Sequence, residues 1–244
     1  YLSEKLNYSI LTPLLENQVD HDYFSYSLKY TKPKYQKLYE YVSQKAAIII
    51  SSDFDYKLPL DRLGIKNLLI PNPINSSSIA YIAPKIEQKI IVYLGINSKN
   101  TFRKGIPFFE KALEIIQQKY TTKVEVIVSE NIPYQQYIEL YNQAHIVLDM
   151  VYAYDQGYNA LEAMAKGKVV FTGAEKEFME HYQLTERVCV NALPDVDALV
   201  QELSFLIENP EEIVAMSKRA RAFIEKEHHY VTIAQKYVDV WTKN

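Results

Sequence analysis

The stretch from Tyr154 to Gly173 constrains the fold more tightly than any other part of the chain. Tyr154 to Asn159 reads as a polar loop, Ala160 to Lys166 as a short helix, and Gly167 as its stop. Val169, Val170, Phe171 and Thr172 then form an apolar, largely β-branched run that suits a buried strand. Ile146, Val147 and Leu148 supply another such run just before the loop. Strand, loop, helix, strand is a βαβ unit, and such units gather ligands at the carboxyl ends of their strands. Ala160, Ala163 and Ala165 let the helix lie close to a sheet, and Gly167 suits the left-handed position after its last turn. Glu162 falls one turn inside, near the positive end of the helix. Two readings of it stay open: a carboxylate that holds a ligand hydroxyl, or a surface glutamate that supports the first turn.

The chain has 244 residues, room for one large domain or for one domain and part of another. Hydrophobic residues make up 48%, ample for a core, yet no apolar run reaches membrane-spanning length. A formal net charge of −3 argues against a general nucleic-acid binder, whose phosphate contacts require a concentrated basic surface. The single cysteine, Cys189, stands between Val188 and Val190 and reads as a core residue in a reducing compartment. The first residues lack the cationic start and apolar core of a signal peptide. Tyr1 in place of Met is what a piece of a longer protein would show.

Residues 1–45 are rich in tyrosine and charge, with one helix expected over 30–44 and another around 3–16, interrupted by Pro13. Residues 46–52 read as a short, fully buried strand. The acidic pair Asp53 and Asp55 has the spacing some metal-dependent sugar transferases use, but Asp195 and Asp197 repeat it in an apparent loop. A strand-end or helix-capping role is the plainer expectation for both pairs. Pro71 and Pro73, followed by an Asn/Ser stretch, mark the best boundary in the chain, with a connector running to Gln88. From Lys89 strands are expected at 90–95, 124–128, 145–150 and 188–190, besides the one at 169–172. Helices are expected at about 107–120, within 132–142, and at 196–209, 211–227 and 231–243. This alternation predicts an α/β fold with a doubly wound, mostly parallel sheet. Lys218, Arg219 and Arg221 read as a solvated face, His228 and His229 as an exposed helix end, and Tyr134 as a packing residue.

A second loop carries candidate chemistry. Lys99, Arg103 and Lys104 crowd the carboxyl end of the strand that ends at Gly95, just before a helix, and Gly105 allows close approach. Cations beside a helix N-terminus make a diphosphate site electrostatically sensible; an exposed charged loop is the equal alternative. Neither a G-x-G-x-x-G dinucleotide fingerprint nor a Walker loop is present.

The strand–Gly–basic loop–Lys-Gly–helix order, with Leu161-Glu162-Ala163-Met164-Ala165 and Gly167 downstream, resembles the C-terminal donor domain of GT-B glycosyltransferases, in particular glycosyltransferase family 4 (glycosyl transferases group 1). Ile70-Pro71-Asn72-Pro73-Ile74-Asn75 is similar to that family's interdomain segment. The resemblance covers roughly residues 40–244 and implies a GT-B type fold with a Rossmann-like donor domain. It divides the chain into a partial acceptor-domain segment over 1–73, a connector over 74–88, a donor domain over 89–230 and a C-terminal helix over 231–244. It further implies retaining, metal-independent transfer from a nucleotide-diphosphate sugar, such as a UDP-, GDP- or ADP-sugar, with no cofactor. The acceptor would be a hydroxyl of a saccharide or lipid-linked saccharide, in surface polysaccharide synthesis. The location implied is cytoplasmic, with peripheral association of the full-length protein at the inner membrane face.

By position, the resemblance gives Lys104 the donor diphosphate and Glu162 the nucleotide ribose. Gly157, Tyr158 and Asn159 would present backbone amides near the β-phosphate, and the nucleobase would lie against backbone at about Val128 to Ile132, with Tyr134 beside it as the alternative to a structural role for that residue. The first carboxylate of the family's two-glutamate motif falls on Tyr154, leaving adjacent Asp155 to replace it. The arginine that follows the strand glycine is absent after Gly95, so Arg103 or Lys99 would supply that charge. An epimerase or phosphorylase of the same fold, and a non-catalytic nucleotide-binding domain, are the alternatives.

Overall fold

The computed structural model describes residues 32–243, so the helix expected around 3–16 lies outside the described residues. Two compact units divide the chain: Tyr1–Pro71 with Gln235–Asn244, and Asn72–Ala234.

In the first unit, α1 (Pro33–Lys45) leads to β1 (Ile50–Ser51), α2 (Phe54–Arg62) and β2 (Leu68–Leu69), with the two strands paired in parallel. The buried strand expected over 46–52 shrinks to two residues, of which Ser51 alone is buried. The apolar run was a misleading guide: among the described residues this strand has one neighbour, and an apolar stretch is buried only where elements cover both of its faces. Asp53 is the N-cap of α2, its carboxylate accepting from the Tyr56 N–H at 3.2 Å and from Ser52 Oγ at 2.8 Å. Burial raises its pKa despite those bonds.

The second unit is built on β3 (Ile90–Ile96), β4 (Val124–Glu130), β5 (Ile146–Leu148), β6 (Val169–Thr172) and β7 (Val190–Asn191). They form one parallel sheet in the order β4-β3-β5-β6-β7. Val92, Leu94, Ile146, Leu148, Val169 and Phe171 share its main core, which explains why these runs are apolar throughout. Between the strands lie α3 (Thr101–Lys104), α4 (Ile106–Lys119), α5 (Tyr134–Gln143), α6 (Tyr158–Ala165) and α7 (Lys176–His181). After β7 come α8 (Val196–Glu208), α9 (Pro210–Glu227) and α10 (Tyr230–Lys243). Pro107 sits in the first turn of α4, and Asp195 caps α8 by accepting from the Asp197 and Ala198 amides. The short helices α3 and α7 were not legible as periodicity, because one turn or so shows no stripe. No helix among the described residues is long and apolar enough to cross a membrane.

Strand order fixes where a ligand can go. The chain leaves β3 outward to β4, returns past β3 to β5, and then proceeds the other way, so connections diverge between β3 and β5. That divergence opens a crevice at the carboxyl ends of these two strands.

The polar segment after Pro73 is strapped to this unit. Ile74 is buried and bridges to His229, and the Ile82 N–H donates to the Lys166 carbonyl at 3.0 Å. Arg221 donates to the carbonyls of Ser76, Ile79 and Ala165 at 2.7–2.9 Å, joining the segment to the last turn of α6. Arg219 donates to Glu212 and to the Arg187 carbonyl. His228 is buried and its Nδ1 donates to the Asn72 carbonyl at 2.9 Å. Arg219, Arg221 and His228 are therefore not solvated as their sequence pattern suggested. Irregular backbone laid against a helix leaves carbonyls without ladder partners, and these side chains provide the donors. Gly167 ends α6 with φ +84°, and a Cβ there would lie 2.5 Å from the Tyr81 ring.

His145 gives this unit a pH dependence. Its Nδ1 accepts from the Ile91 N–H at 2.9 Å and its Nε2 donates to the Lys85 carbonyl at 3.1 Å, which fixes the neutral ring. Burial lowers its pKa below the ordinary 6.5. Protons then bind the unfolded chain preferentially, so this contribution is complete above the unfolded value and is lost as pH falls through the folded one. Urea unfolding is expected to show a lower midpoint at pH 5.5 than at pH 7.5, with part of that difference absent in His145→Gln. An identical pH difference in both proteins would assign the effect to other groups.

Candidate functional site

Lys104 is the last residue of α3, and the chain turns at once into α4 through Gly105, whose φ of +66° is left-handed. The Lys104 carbonyl accepts from the Val151 N–H at 3.1 Å, and its Nζ lies 2.8 Å from Asp149 Oδ1. The Asp149 side chain, just beyond β5, is only 1% exposed, whereas that of Lys104 is 23% exposed. The ammonium thus reaches solvent while its counter-ion stays underneath.

Asp149 Oδ1 also accepts from Asn159 Nδ2 at 2.9 Å, and Asn159 Oδ1 accepts from the Tyr137 hydroxyl at 2.8 Å. A polar chain, Lys104–Asp149–Asn159–Tyr137, therefore crosses the switch point from the β3–α4 loop to the start of α6 and on to α5. Burial, then the nearby Tyr93 and Asp149, raise the Tyr137 phenol well above its usual range, keeping it a donor. The Tyr137 ring packs over Gly95, where a Cβ would sit 2.8 Å from ring carbon. Asn131, at φ +50°, pins the far rim: Oδ1 accepts from the Ser98 N–H and Nδ2 donates to Ser98 Oγ.

The cleft so formed holds about 320 Å³, and Gly95, Lys104, Asn131, Ile132, Tyr137 and Asn159 are among its walls. Gly157 is the N-cap of α6 without a side-chain cap, and a Cβ there would meet nothing within 4 Å. The N–H groups of Tyr158, Asn159 and Ala160 have no acceptor within the helix, so this end favours an anion. A second cleft of about 400 Å³ shares Tyr137 and Asn159 and continues between residues 78–82, α5 and α6. Glu162 and Lys166 line it together with Tyr134 and Ile138. Among the described residues the Glu162 carboxylate makes no hydrogen bond or ion pair. Tyr134 is 74% exposed, contrary to the packing role its sequence suggested.

The expected site residues are thus divided. Gly95, Lys104, Ile132 and Asn159 line the first cleft, Asn159 and Glu162 the second, and Gly157 caps the helix they share. Lys99 and Arg103 line neither. Tyr158 is half exposed, and its hydroxyl donates to the Pro73 carbonyl at 2.5 Å. Asp155 is buried, lines neither cleft, and adds to the rise of the Tyr182 phenol and the Cys189 thiol, both raised chiefly by their own burial. The Cys189 thiol is pushed up to about 12. Gly173 explains why the 153–155 loop can lie so deep: a Cβ there would be 2.5 Å from the Ala153 carbonyl oxygen and 2.7 Å from the Asp155 nitrogen. Asp149 and Tyr137 were missed from sequence. The available signal was a lone carboxylate ending an apolar central strand at a switch point.

A parallel five-stranded sheet with a cation and a helix N-terminus at its switch point defines a Rossmann-like α/β unit. The profile of the family described as glycosyl transferase-like matches residues 103–239, more than half of the chain, and the chain belongs to that family, the group 1 glycosyltransferases of GT-B fold. Comparison with curated proteins gave no match. Among solved structures, sucrose-phosphate synthase from Thermosynechococcus elongatus is 18% identical with a TM-score of 0.64, covering 89% of this chain and 65% of that one. HepE of Anabaena in complex with UDP-glucose is 15% identical with a TM-score of 0.61, covering 82% and 64%. TarM of S. aureus, as a variant in complex with fondaparinux, α-GlcNAc-glycerol and UDP, is 16% identical with a TM-score of 0.62, covering 84% and 46%. The chain spans less than two thirds of each of these structures. The likeness establishes the GT-B type fold.

Proposed function

We propose that the protein is a glycosyltransferase, or the donor-binding part of one, that transfers a sugar from a nucleotide-diphosphate donor to a hydroxyl acceptor. The observation that carries this reading is the pairing of Lys104, held at the switch point beside the α6 N-terminus, with the unpaired Glu162 carboxylate further along the same helix. Lys104 and the first amides of α6 take the diphosphate, Ile132 borders the nucleoside, and Glu162 accepts from the ribose hydroxyls. The UDP-glucose and UDP named for HepE and TarM support a nucleotide sugar as donor.

Departure of a nucleoside diphosphate concentrates negative charge on phosphate oxygens. A fixed ammonium and aligned N–H groups stabilise that charge without reorganising at the moment of transfer. Retention, independence from metal, a saccharide or lipid-linked acceptor, surface polysaccharide synthesis and a cytoplasmic site at the membrane face rest on the family resemblance. Residues 89–230 are the donor domain in this reading, joined through the connector over 74–88 to the acceptor-domain segment over 1–73. A non-catalytic nucleotide-binding role is the second reading, favoured by Tyr154 at the first carboxylate position and by the burial of Asp155 away from both clefts.

Calorimetric titration with UDP, GDP and ADP, each with and without its sugar, tests the reading. At least one is expected to bind in the presence of chelator, and Glu162→Ala is expected to weaken it about tenfold, since a hydrogen bond to a charged group is worth roughly 1.5–3 kcal/mol. Asp53→Ala should leave that affinity unchanged. Absence of binding by every nucleotide would refute the donor reading; binding with no detectable sugar transfer or donor hydrolysis would favour the second.

A further inference from the structure

β4 leaves one long side of the sheet open, since among the described residues it pairs only with β3. The Ile90 N–H donates to the Lys123 carbonyl and the Asn131 N–H to the Ile96 carbonyl. Odd-numbered residues of β4 therefore turn their backbone groups toward β3, and Val124, Val126, Val128 and Glu130 turn theirs away. The Val124 N–H is taken by the Tyr120 carbonyl at 3.0 Å. Among the described residues the outward groups of Val126 and Val128 and the Glu130 N–H have no partner. Proteins usually blunt such an edge with a proline, a bulge, a lysine or a very short strand. β4 instead has seven residues in unbroken register with β3, no proline, and an uncharged middle, Val126-Ile127-Val128. Val128 is 50% exposed. The opposite edge, β7, has two residues and offers little to pair with.

A groove of about 450 Å³ runs between this edge and α4, with Leu113, Val126 and Val128 among its walls and Glu110, Lys111 and Glu114 along it. These three charges are exposed and form no ion pair among the described residues. Ile127 is the midpoint of β4, so a second β4 laid antiparallel about a twofold axis there overlaps the whole strand. Val126 then faces Val128, Val124 faces Glu130 and Glu125 faces Ser129, and no like charges are opposed. An axis at Glu125 would instead set that carboxylate against itself. Because α4 packs over β3 and β4, its two copies run antiparallel about two strand spacings apart, roughly 10 Å, which is helix-packing distance. The order Glu110, Lys111, Glu114 is self-complementary there, since the lysine of each copy meets glutamates of the other. We propose that the β4 edge and the adjoining face of α4 bind a second copy of this chain, joining two five-stranded sheets into one across a twofold axis. With β7 too short to extend the sheet further, pairing closes at two copies.

Sedimentation equilibrium of the whole chain tests this. The native protein is expected to pass from monomer to dimer, and no further, as its concentration rises. Val128→Pro removes an outward N–H that β3 does not use, and is expected to weaken dimerisation at least about tenfold while the urea midpoint of the monomer stays close to native. Lys111→Glu, and the double variant Glu110→Lys with Glu114→Lys, change only the exposed side of α4. Each is expected to dimerise more weakly alone, and the two to pair with each other when mixed, because opposite charges then face across the axis. These variants leave β4 intact and decide the question even where Val128→Pro disturbs the fold. A native chain that stays monomeric at every concentration, its edge left to some other protein, would overturn the assignment. So would a dimer of undiminished strength in Val128→Pro, or a mixture of the two charge variants that fails to pair.

Discussion

On the proposed donor reading, with UDP as the probe nucleoside diphosphate, Lys104→Ala is expected to weaken binding by about ten- to a hundredfold, the equivalent of one charge-assisted hydrogen bond of roughly 1.5–3 kcal/mol at about 1.4 kcal/mol per tenfold. A second consequence must be separated from the first. Asp149 is almost wholly buried and Lys104 is its only cationic partner among the described residues. Removing one member of a buried pair strands the other, at a cost of about 3–5 kcal/mol when both are buried. Because Lys104 reaches solvent, about 1–3 kcal/mol is the better expectation here. Lost binding in the single variant could therefore be a damaged fold. The double variant Lys104→Ala with Asp149→Asn resolves this, since it removes the stranded charge and keeps the shape of the side chain. It is expected to recover much of the lost unfolding free energy in urea and none of the UDP affinity. If the double variant bound UDP as the native protein does, Lys104 would be a structural counter-ion, and the proposed diphosphate site would be wrong.

That test exists because of a residue that pattern reading passed over. Lys104 drew attention because it precedes Gly105 and a helix, and Glu162 because it lies one turn into an alanine-rich helix. Both features are local, and local spacing is what a sequence displays. Asp149 is three-dimensional in its meaning: it matters because β5 lies beside β3, which brings a residue forty-five positions away to within 2.8 Å of Lys104. The same holds for Tyr137, which reaches Asn159 from a different helix. The strands of the sheet were legible because buried parallel strands are apolar throughout, and their ends were placed to within a few residues. The segment at 46–52 shows the limit of that rule, as an equally apolar run forms only two paired residues. Arg219, Arg221 and His228 mark a different limit. Charge in a helix usually means solvent, but here carbonyls of the strapped, irregular segment draw Arg221 and His228 inward, and the Arg187 carbonyl does the same for Arg219.

Gly105→Ala is the second large effect expected, and it acts on stability first. At φ +66° and ψ +36° any residue with a Cβ is strained, by roughly 1–2 kcal/mol. The added Cβ would also lie 2.2 Å from Val151 Cγ2 and 3.4 Å from the rings of Phe108 and Tyr152. Val151 is buried and its N–H is bonded to the Lys104 carbonyl, so it cannot retreat without releasing the turn that carries Lys104. Overpacking of this kind costs about 1–3 kcal/mol. The sum, about 2–5 kcal/mol, should appear as a lower urea midpoint, and the displaced Lys104 should bind UDP more weakly as well. Gly157→Ala is the matched contrast. Its φ of −74° suits any residue and a Cβ there meets open space, so its unfolding midpoint should stay close to that of the native protein. UDP affinity should nevertheless fall, because a methyl group would occupy the cradle at the start of α6. Equal loss of stability in the two variants, or undiminished UDP binding by Gly157→Ala, would mean that the loop before α6 is not where the phosphate rests.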